Sequence, residues 1–227
     1  MDKVGKYTLQ IMKLAGWYNN WLFSKIEKEL GKEILEVGAG IGNFTELLSK
    51  KGKLTAIDIN SFYIKDLKVT FKGLSVGYGD AEKGLYFFKN KEFDSVICFN
   101  VLEHIKDDRK ALKNMFDLLR SNGKLIILIP AHELLFSAFD KSLGHFRRYN
   151  KNGIVKKLKD VGFKNISVRY LNWWAALGWF VFFRLTGWKQ MPKDEVGIFN
   201  RLGRYMLWPE KYFSPPIGLS VLAIAQK

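Results

Sequence analysis

Residues 34–45 read I-L-E-V-G-A-G-I-G-N-F-T, an apolar run interrupted by Glu36, then Gly38, Gly40 and Gly42 at every second position. Ile34, Leu35 and Val37 suit a buried strand, and Asn43–Lys51 has the spacing of a helix. The glycines let the backbone turn sharply and let a ligand approach closely, while the helix that follows presents its N-terminus. A strand, a glycine turn and a helix in that order open a nucleotide-binding α/β unit.

Outward from this stretch the chain alternates strands and helices. Strands are expected at Glu33–Val37, Leu54–Ile59, Leu74–Tyr78, Phe93–Phe99, Lys124–Ile129, Asn165–Tyr170 and Leu219–Ala225. Helices are expected at Asn43–Lys51, Ser61–Phe71, Asp107–Leu119 and Lys151–Val161. Strands rich in Val, Ile and Leu, separated by helices, imply a mostly parallel sheet covered on both faces. Two further helices precede the first strand, near Lys6–Ala15 and Trp17–Leu30, with Gly31 as the stop. Residues 1–31 therefore read as a helical segment of the same domain, and 32–227 as its body. The alternation breaks at 172–216, an insertion rich in aromatic and basic residues that lies before the last strand.

The spacing of the glycine loop selects its ligand. A dinucleotide fingerprint requires glycine or alanine at position 43, where this chain has Asn43, so a nicotinamide oxidoreductase is disfavoured. Asp58 ends the second strand, 20 residues after Gly38. A carboxylate placed there accepts hydrogen bonds from both hydroxyls of a ribose.

The run E-x-G-x-G-x-G, from Glu36 to Gly42, resembles the first motif of the class I S-adenosylmethionine-dependent methyltransferases. L-T-A-I-D-I-N, G-Y-G-D-A-E and C-F-N-V-L-E-H-I-K-D-D resemble the next three motifs, in the right order; the resemblance covers about Glu33 to Tyr170. It implies a doubly wound, seven-stranded Rossmann-like methyltransferase fold with S-adenosyl-L-methionine as cofactor. Gly38, Gly40, Gly42 and Asn43 would then surround the methionine part, with Glu36 either meeting its ammonium or ordering the loop, and Asp58 would hold the ribose. Ile59 or Asn60 would lie beside the adenine, Asp80 near its amino group with Ala81 next to it, and Asn100 and Val101 along the cofactor. Asp80 also suits the cap of a turn. The segment from Pro130 to Tyr149 resembles a branch of these enzymes often found beside glycan- and lipid-assembly enzymes.

In an open α/β sheet, ligands bind beyond the carboxyl ends of the strands, and His104, His132 and His145 all follow predicted strands. His132 and His145 are candidate general bases, since neutral imidazole accepts a proton near pH 7. In the family resemblance His104 is a packing or cofactor-side residue. Arg147 and Arg148, with Tyr149 beside them, are candidates for holding a phosphate or carboxylate of the acceptor. No grouping of His, Cys, Asp and Glu has metal-ligand spacing, so no metal is expected.

Charge and composition narrow the partners. The net charge is +15; residues 120–227 carry 18 Lys and Arg against 6 Asp and Glu. Such a basic half suits an anionic partner. The first readings are a small-molecule, glycan or lipid-linked acceptor and an anionic membrane surface. Trp173, Trp174, Trp179, Phe180, Phe182 and Phe183, with Arg184, Lys189, Lys193, Arg201, Arg204 and Lys211 nearby, suit an interfacial segment. The same aromatics would also serve as core. RNA is the alternative acceptor: I-G-N-F-T resembles the ribosomal-RNA adenine dimethylases. Those carry Asn-x-Pro-aromatic after the fourth strand, whereas here the residues are Asn100, Val101, Leu102 and Glu103. A non-catalytic cofactor-binding subunit is the remaining reading. The single cysteine, Cys98, excludes an internal disulfide and suits a cytoplasmic setting, with peripheral attachment at the inner membrane face. The longest strongly apolar stretch, Trp173 to Phe183, is 11 residues, against the roughly 20 that a spanning helix needs.

Overall fold

The computed structural model describes residues 3–185, 187, 202–203 and 205–227. Two helices, α1 (Lys3–Leu14) and α2 (Gly16–Ser24), lead into β1 (Glu33–Val37). Then follow α3 (Thr45–Ser49), β2 (Lys53–Asp58), α4 (Ser61–Thr70), β3 (Ser75–Asp80), β4 (Leu85–Tyr86) and β5 (Phe93–Phe99). The second half holds α5 (Asp108–Asp117), β6 (Leu119–Pro130), α6 (Ala138–Ser142), α7 (Lys151–Val161), β7 (Lys164–Leu171), α8 (Trp173–Trp179) and β8 (Ser220–Gln226). All seven expected strands form.

One sheet runs β4-β3-β2-β1-β5-β6-β8-β7. Strands β3, β2, β1, β5 and β6 pair in parallel; β8 lies antiparallel between β6 and β7. The eighth strand corrects the expected count of seven. It is the two-residue β4, folded back on β3 through Gly84, whose φ of +70° suits the turn. Phe87 then packs its ring over Gly77, where a Cβ would stand 2.3 Å from it.

Strand alternation builds the two layers of the core. Leu35, Val37, Val96, Cys98, Leu125, Ile127 and Ile129 face α5 and α7, meeting Leu112, Met115, Ile154 and Leu158. Ile34, Ile97, Ile126, Leu128 and Leu222 face the other way, onto Tyr18, Leu22, Phe23, Ile26 and Leu48. The N-terminal helices thus cover one face of the sheet. The segment expected as one helix over Trp17–Leu30 is broken: Ile26 leaves helical backbone at φ −124°, and a single 3-10 turn follows at Glu27–Glu29. Phe23 and Ile26 both reach the core by that route. Helix α3 starts two residues later than expected, because the glycine loop keeps its own conformation through Gly42.

In the described part of 172–216, α8 continues into a wider π-type turn at Phe180–Leu185, and a short turn at Trp208–Lys211 returns the chain. Glu210 accepts from the amides of Asn172 (3.1 Å) and Trp173 (2.9 Å), so its carboxylate caps the start of α8. Asn172 donates to the Tyr18 hydroxyl at 3.1 Å, which ties the insertion to α2.

Candidate active site

Because β1, β2, β3 and β5 run in parallel, their carboxyl ends share one edge of the sheet. The order of strands reverses there, between β1 and β5, where a crevice opens in folds of this kind. That edge gathers Gly38, Gly40 and Gly42 after β1, Asp58 and Ile59 at β2, Asp80 and Ala81 at β3, and Asn100 and Val101 after β5.

The glycine loop is a cradle that side chains would fill. Gly38, Gly40 and Gly42 have φ of +71°, +55° and +86°. A Cβ on Gly38 would stand 2.3 Å from Val101 Cγ2, so this position accepts no larger residue without displacing Val101. Asp58 holds the loop: Oδ2 accepts from the Gly40 amide (2.9 Å) and Oδ1 from the Asn60 amide (2.8 Å). Beside it Ile59 is 68% exposed, an apolar shelf next to a carboxylate. A ribose on the carboxylate and an adenine on the shelf match that chemistry. Burial raises the pKa of Asp58, against the backbone amides that face it.

Glu36 is buried under the loop, and its Oε2 accepts from Thr45 Oγ1 at 2.7 Å. Burial pushes its pKa up to about 8, with the charge of Asp58 adding to the effect. Asn43 turns away from the crevice and donates to the Leu9 carbonyl at 3.2 Å, so α1 lies against the loop. Asp80 accepts from the Lys83 amide at 3.0 Å and thus caps the turn toward β4. Ala81 is buried, and its carbonyl accepts from Asn114 at 2.7 Å. Asn100 is exposed with φ +52°, and Val101 leads into a single 3-10 turn over Leu102–His104.

The histidines part company. His145 meets His104 edge to face, ring centroids 4.6 Å apart, and its Nδ1 lies 3.0 Å from Asp140 Oδ1. Asp140 is fully buried, which alone would raise its pKa; the bonds from His145, Arg148 and Ser137 outweigh burial and hold it below the usual range. Glu103 is buried beside this pair. Burial pushes its pKa to about 7, the charges of His145 and Arg148 pulling against it. His132 instead stacks on Tyr170, with centroids 4.6 Å apart, and has φ +59°. Burial and the charge of Arg148 lower its pKa.

The residues expected to grip the acceptor are engaged within the protein. Arg148 is buried, and it donates from Nε and Nη2 to the two oxygens of Asp140 (2.8 and 3.0 Å) and from Nη1 to the Ala131 carbonyl (3.2 Å). Arg147 donates to the carbonyls of Ile105 (3.0 Å) and Lys106 (2.8 Å) and pairs with Asp108. The Tyr149 hydroxyl lies 3.0 Å from Asp108 Oδ2 and 3.2 Å from the Leu102 carbonyl. In this arrangement the three brace residues 131–149 against the turn after β5. Glu103 and Asp140, which sequence reasoning did not single out, are placed beside His145 by that brace. The only local sign of it was the spacing of Asp140 and His145, five residues apart.

The insertion packs on the same wall. Trp179 donates from Nε1 to the Leu135 carbonyl (3.2 Å), the Arg148 guanidinium lies 4.6 Å from the Trp179 ring, and Phe183 packs on Phe139. Ala176, Trp179 and Phe183 face inward, while Trp174, Leu177, Val181 and Leu185 face outward and are exposed. The aromatic segment is therefore divided between core and surface. Lys189, Lys193, Arg201 and Arg204, expected to accompany it, lie outside the described residues, as do the side chains of Arg184 and Lys211. Among the described residues no helix is long and apolar enough to cross a membrane.

Strand order and connections define a Rossmann-like protein with its glycine loop at the β1–β5 switch point. The chain matches the family described as a methyltransferase domain over residues 35–127, less than half of its length. It is similar to the juvenile hormone acid O-methyltransferase of Bombyx mori, 24% identical over 63% of this chain and 60% of that protein. It is also similar to the ubiquinone biosynthesis O-methyltransferase of Coxiella burnetii, 31% identical over 42% of each. The chain thus spans less than two thirds of these curated relatives. A SAM-dependent methyltransferase from Archaeoglobus fulgidus shares the fold, with a TM-score of 0.61 at 18% identity over 92% of this chain and 94% of that one.

Proposed function

We propose that this chain transfers a methyl group from S-adenosylmethionine to an oxygen atom of a small amphiphilic acceptor, of the lipid-linked or glycan-bearing class. The observation that carries the reading is one wall with two sides. Asp140 and Arg148 hold His145 on the side of Glu103, and the same wall anchors the helix that exposes Trp174, Leu177 and Val181. A polar reacting head and an apolar tail suit those two sides.

The cofactor supplies an electrophilic methyl group on a sulfonium, so the protein chiefly aligns donor and acceptor. Asp58, Glu36 and the glycine loop would hold the cofactor. An acceptor hydroxyl must lose its proton during transfer, and His145 is equipped to take it. With the Asp140 carboxylate as acceptor on the Nδ1 side, the lone pair is left on Nε2. Val101, packed at Gly38, puts the turn bearing Glu103 and His104 next to the cofactor crevice. Two of the curated relatives are named as O-methyltransferases, which supports an oxygen acceptor, while another is named as a C-methyltransferase.

The test is transfer from methyl-tritiated cofactor into separated lipid, glycan and RNA fractions. The expected label enters a lipid or glycan fraction, disappears with Asp58→Ala and falls with His145→Ala. Label confined to RNA overturns the acceptor class. Intact cofactor binding with no label in any fraction favours the non-catalytic subunit.

A further inference from the structure

Glu103, His104 and His145 each offer one ligand atom, and the three atoms all lie within 4.8 Å of one another. Two come from the turn after β5 and the third from the loop after α6, so only the folded chain assembles them. Their chemistry goes beyond a chance meeting of polar groups. Glu103 is 1% exposed, yet its Oε2 has no hydrogen-bond partner. A buried carboxylate oxygen without a donor is costly, and a bound cation removes that cost. Asp140 takes the Nδ1 side of His145, the carboxylate–histidine pairing that orients a ligating imidazole and leaves Nε2 for a metal. Arg148 and Ser137 in turn fix Asp140. Two imidazoles and one carboxylate suit zinc and its divalent neighbours, and three protein ligands leave positions open.

We propose that Glu103, His104 and His145 form a binding site for a divalent transition-metal ion of the zinc class, whose open positions take oxygen atoms of the acceptor. Metal binding stands on the cluster itself; its part in catalysis rests on the oxygen-acceptor reading above. With the ion present, the lone pairs of His145 and Glu103 go to the metal. The metal, in place of the imidazole, would then acidify the coordinated hydroxyl, whose proton would pass to solvent water before the alkoxide oxygen takes the methyl group. An acceptor with two neighbouring oxygens, such as a vicinal diol or a hydroxy acid, would chelate the ion and be favoured over a simple alcohol.

Chelator-stripped full-length protein titrated with Co²⁺ and followed by visible absorption tests the site directly. The expected result is one equivalent with saturable ligand-field bands, displaced by Zn²⁺. Glu103→Gln and His104→Ala should each weaken Co²⁺ binding by about tenfold or more, while His132→Ala leaves it unchanged. S-adenosylmethionine affinity, measured by calorimetry on every variant, should stay constant and reports an intact fold. Absence of saturable bands, or bands that survive both substitutions, overturns the metal site. Methyl transfer to oxygen that persists in chelator overturns its catalytic role and leaves the oxygen-acceptor reading standing. Bound cobalt with transfer only to nitrogen or carbon does the reverse: it supports the site and overturns that reading.

Discussion

At Asp58 both carboxylate oxygens already accept one backbone amide, from Gly40 and from Asn60. A carboxylate has about four acceptor positions, so two remain for a ribose diol. Asp58→Ala should weaken S-adenosylmethionine binding by about 1–3 kcal/mol, the scale of lost charge-assisted hydrogen bonds, as read by calorimetry. Glu36 makes a different prediction. Its folded pKa stands near 8 against an ordinary 4.5, so the folded state holds a proton that the unfolded chain has released. The stability this proton contributes is complete below pH 4.5 and is lost as pH rises through about 8. Glu36→Gln should therefore flatten the fall of the thermal midpoint across that window. A slope unchanged in the variant would mean that another group carries it. Neither burial nor the Thr45 bond of Glu36 could be read locally, since Thr45 reaches it only after the glycine loop has turned.

At the scale of elements, the loop joining β6 to α7 is where the sequence reading and the structure diverge most. Arg147, Arg148 and Tyr149 had the composition of an anion-binding patch, yet each side chain turns inward to a carbonyl or a carboxylate of its own fold. The distinction is one of direction, and adjacent charges in a loop carry no signal of direction. Arg148→Ala would leave Asp140 buried without its bidentate partner. Breaking a buried pair on one side costs about 3–5 kcal/mol, so chemical denaturation should show a loss of that size. A loss near the fraction of a kcal/mol typical of exposed pairs would return Arg148 to the surface.

For the molecule as a whole, charge and apolar surface lie in the same half of the chain. Residues 120–227 hold a threefold excess of basic over acidic residues, and Trp208, Tyr205 and Tyr212 are each more than 60% exposed. Aromatics at a surface and excess basic charge together favour an anionic bilayer, each nearby cation adding roughly 1 kcal/mol. Co-sedimentation with anionic vesicles should be strong at low salt and weak at high salt, and Trp208→Ala should reduce it. Equal sedimentation with neutral vesicles would remove the electrostatic part of this expectation. No sedimentation at low salt would leave the aromatic face to another partner.

The cofactor was implied by the resemblance of four motifs, while the chain's own residues made the parallel sheet and the glycine turn legible. These follow from short-range rules: alternation within strands, glycines where φ must be positive, and a carboxylate at the end of the next strand. Even β8 was legible as a strand from its apolar run, although its antiparallel place between β6 and β7 was not. The tertiary structure alone decided which polar residues meet. His104 and His145 lie 41 positions apart in the sequence, and their rings touch because Arg147 and Tyr149 fasten one loop to the other. It also decided which aromatics face inward, since one helix carries Trp179 on its buried side and Trp174 on its open side. Periodicity marks the two sides of a helix, but only the packing partner, here Phe139 and Leu135, determines which of them is covered.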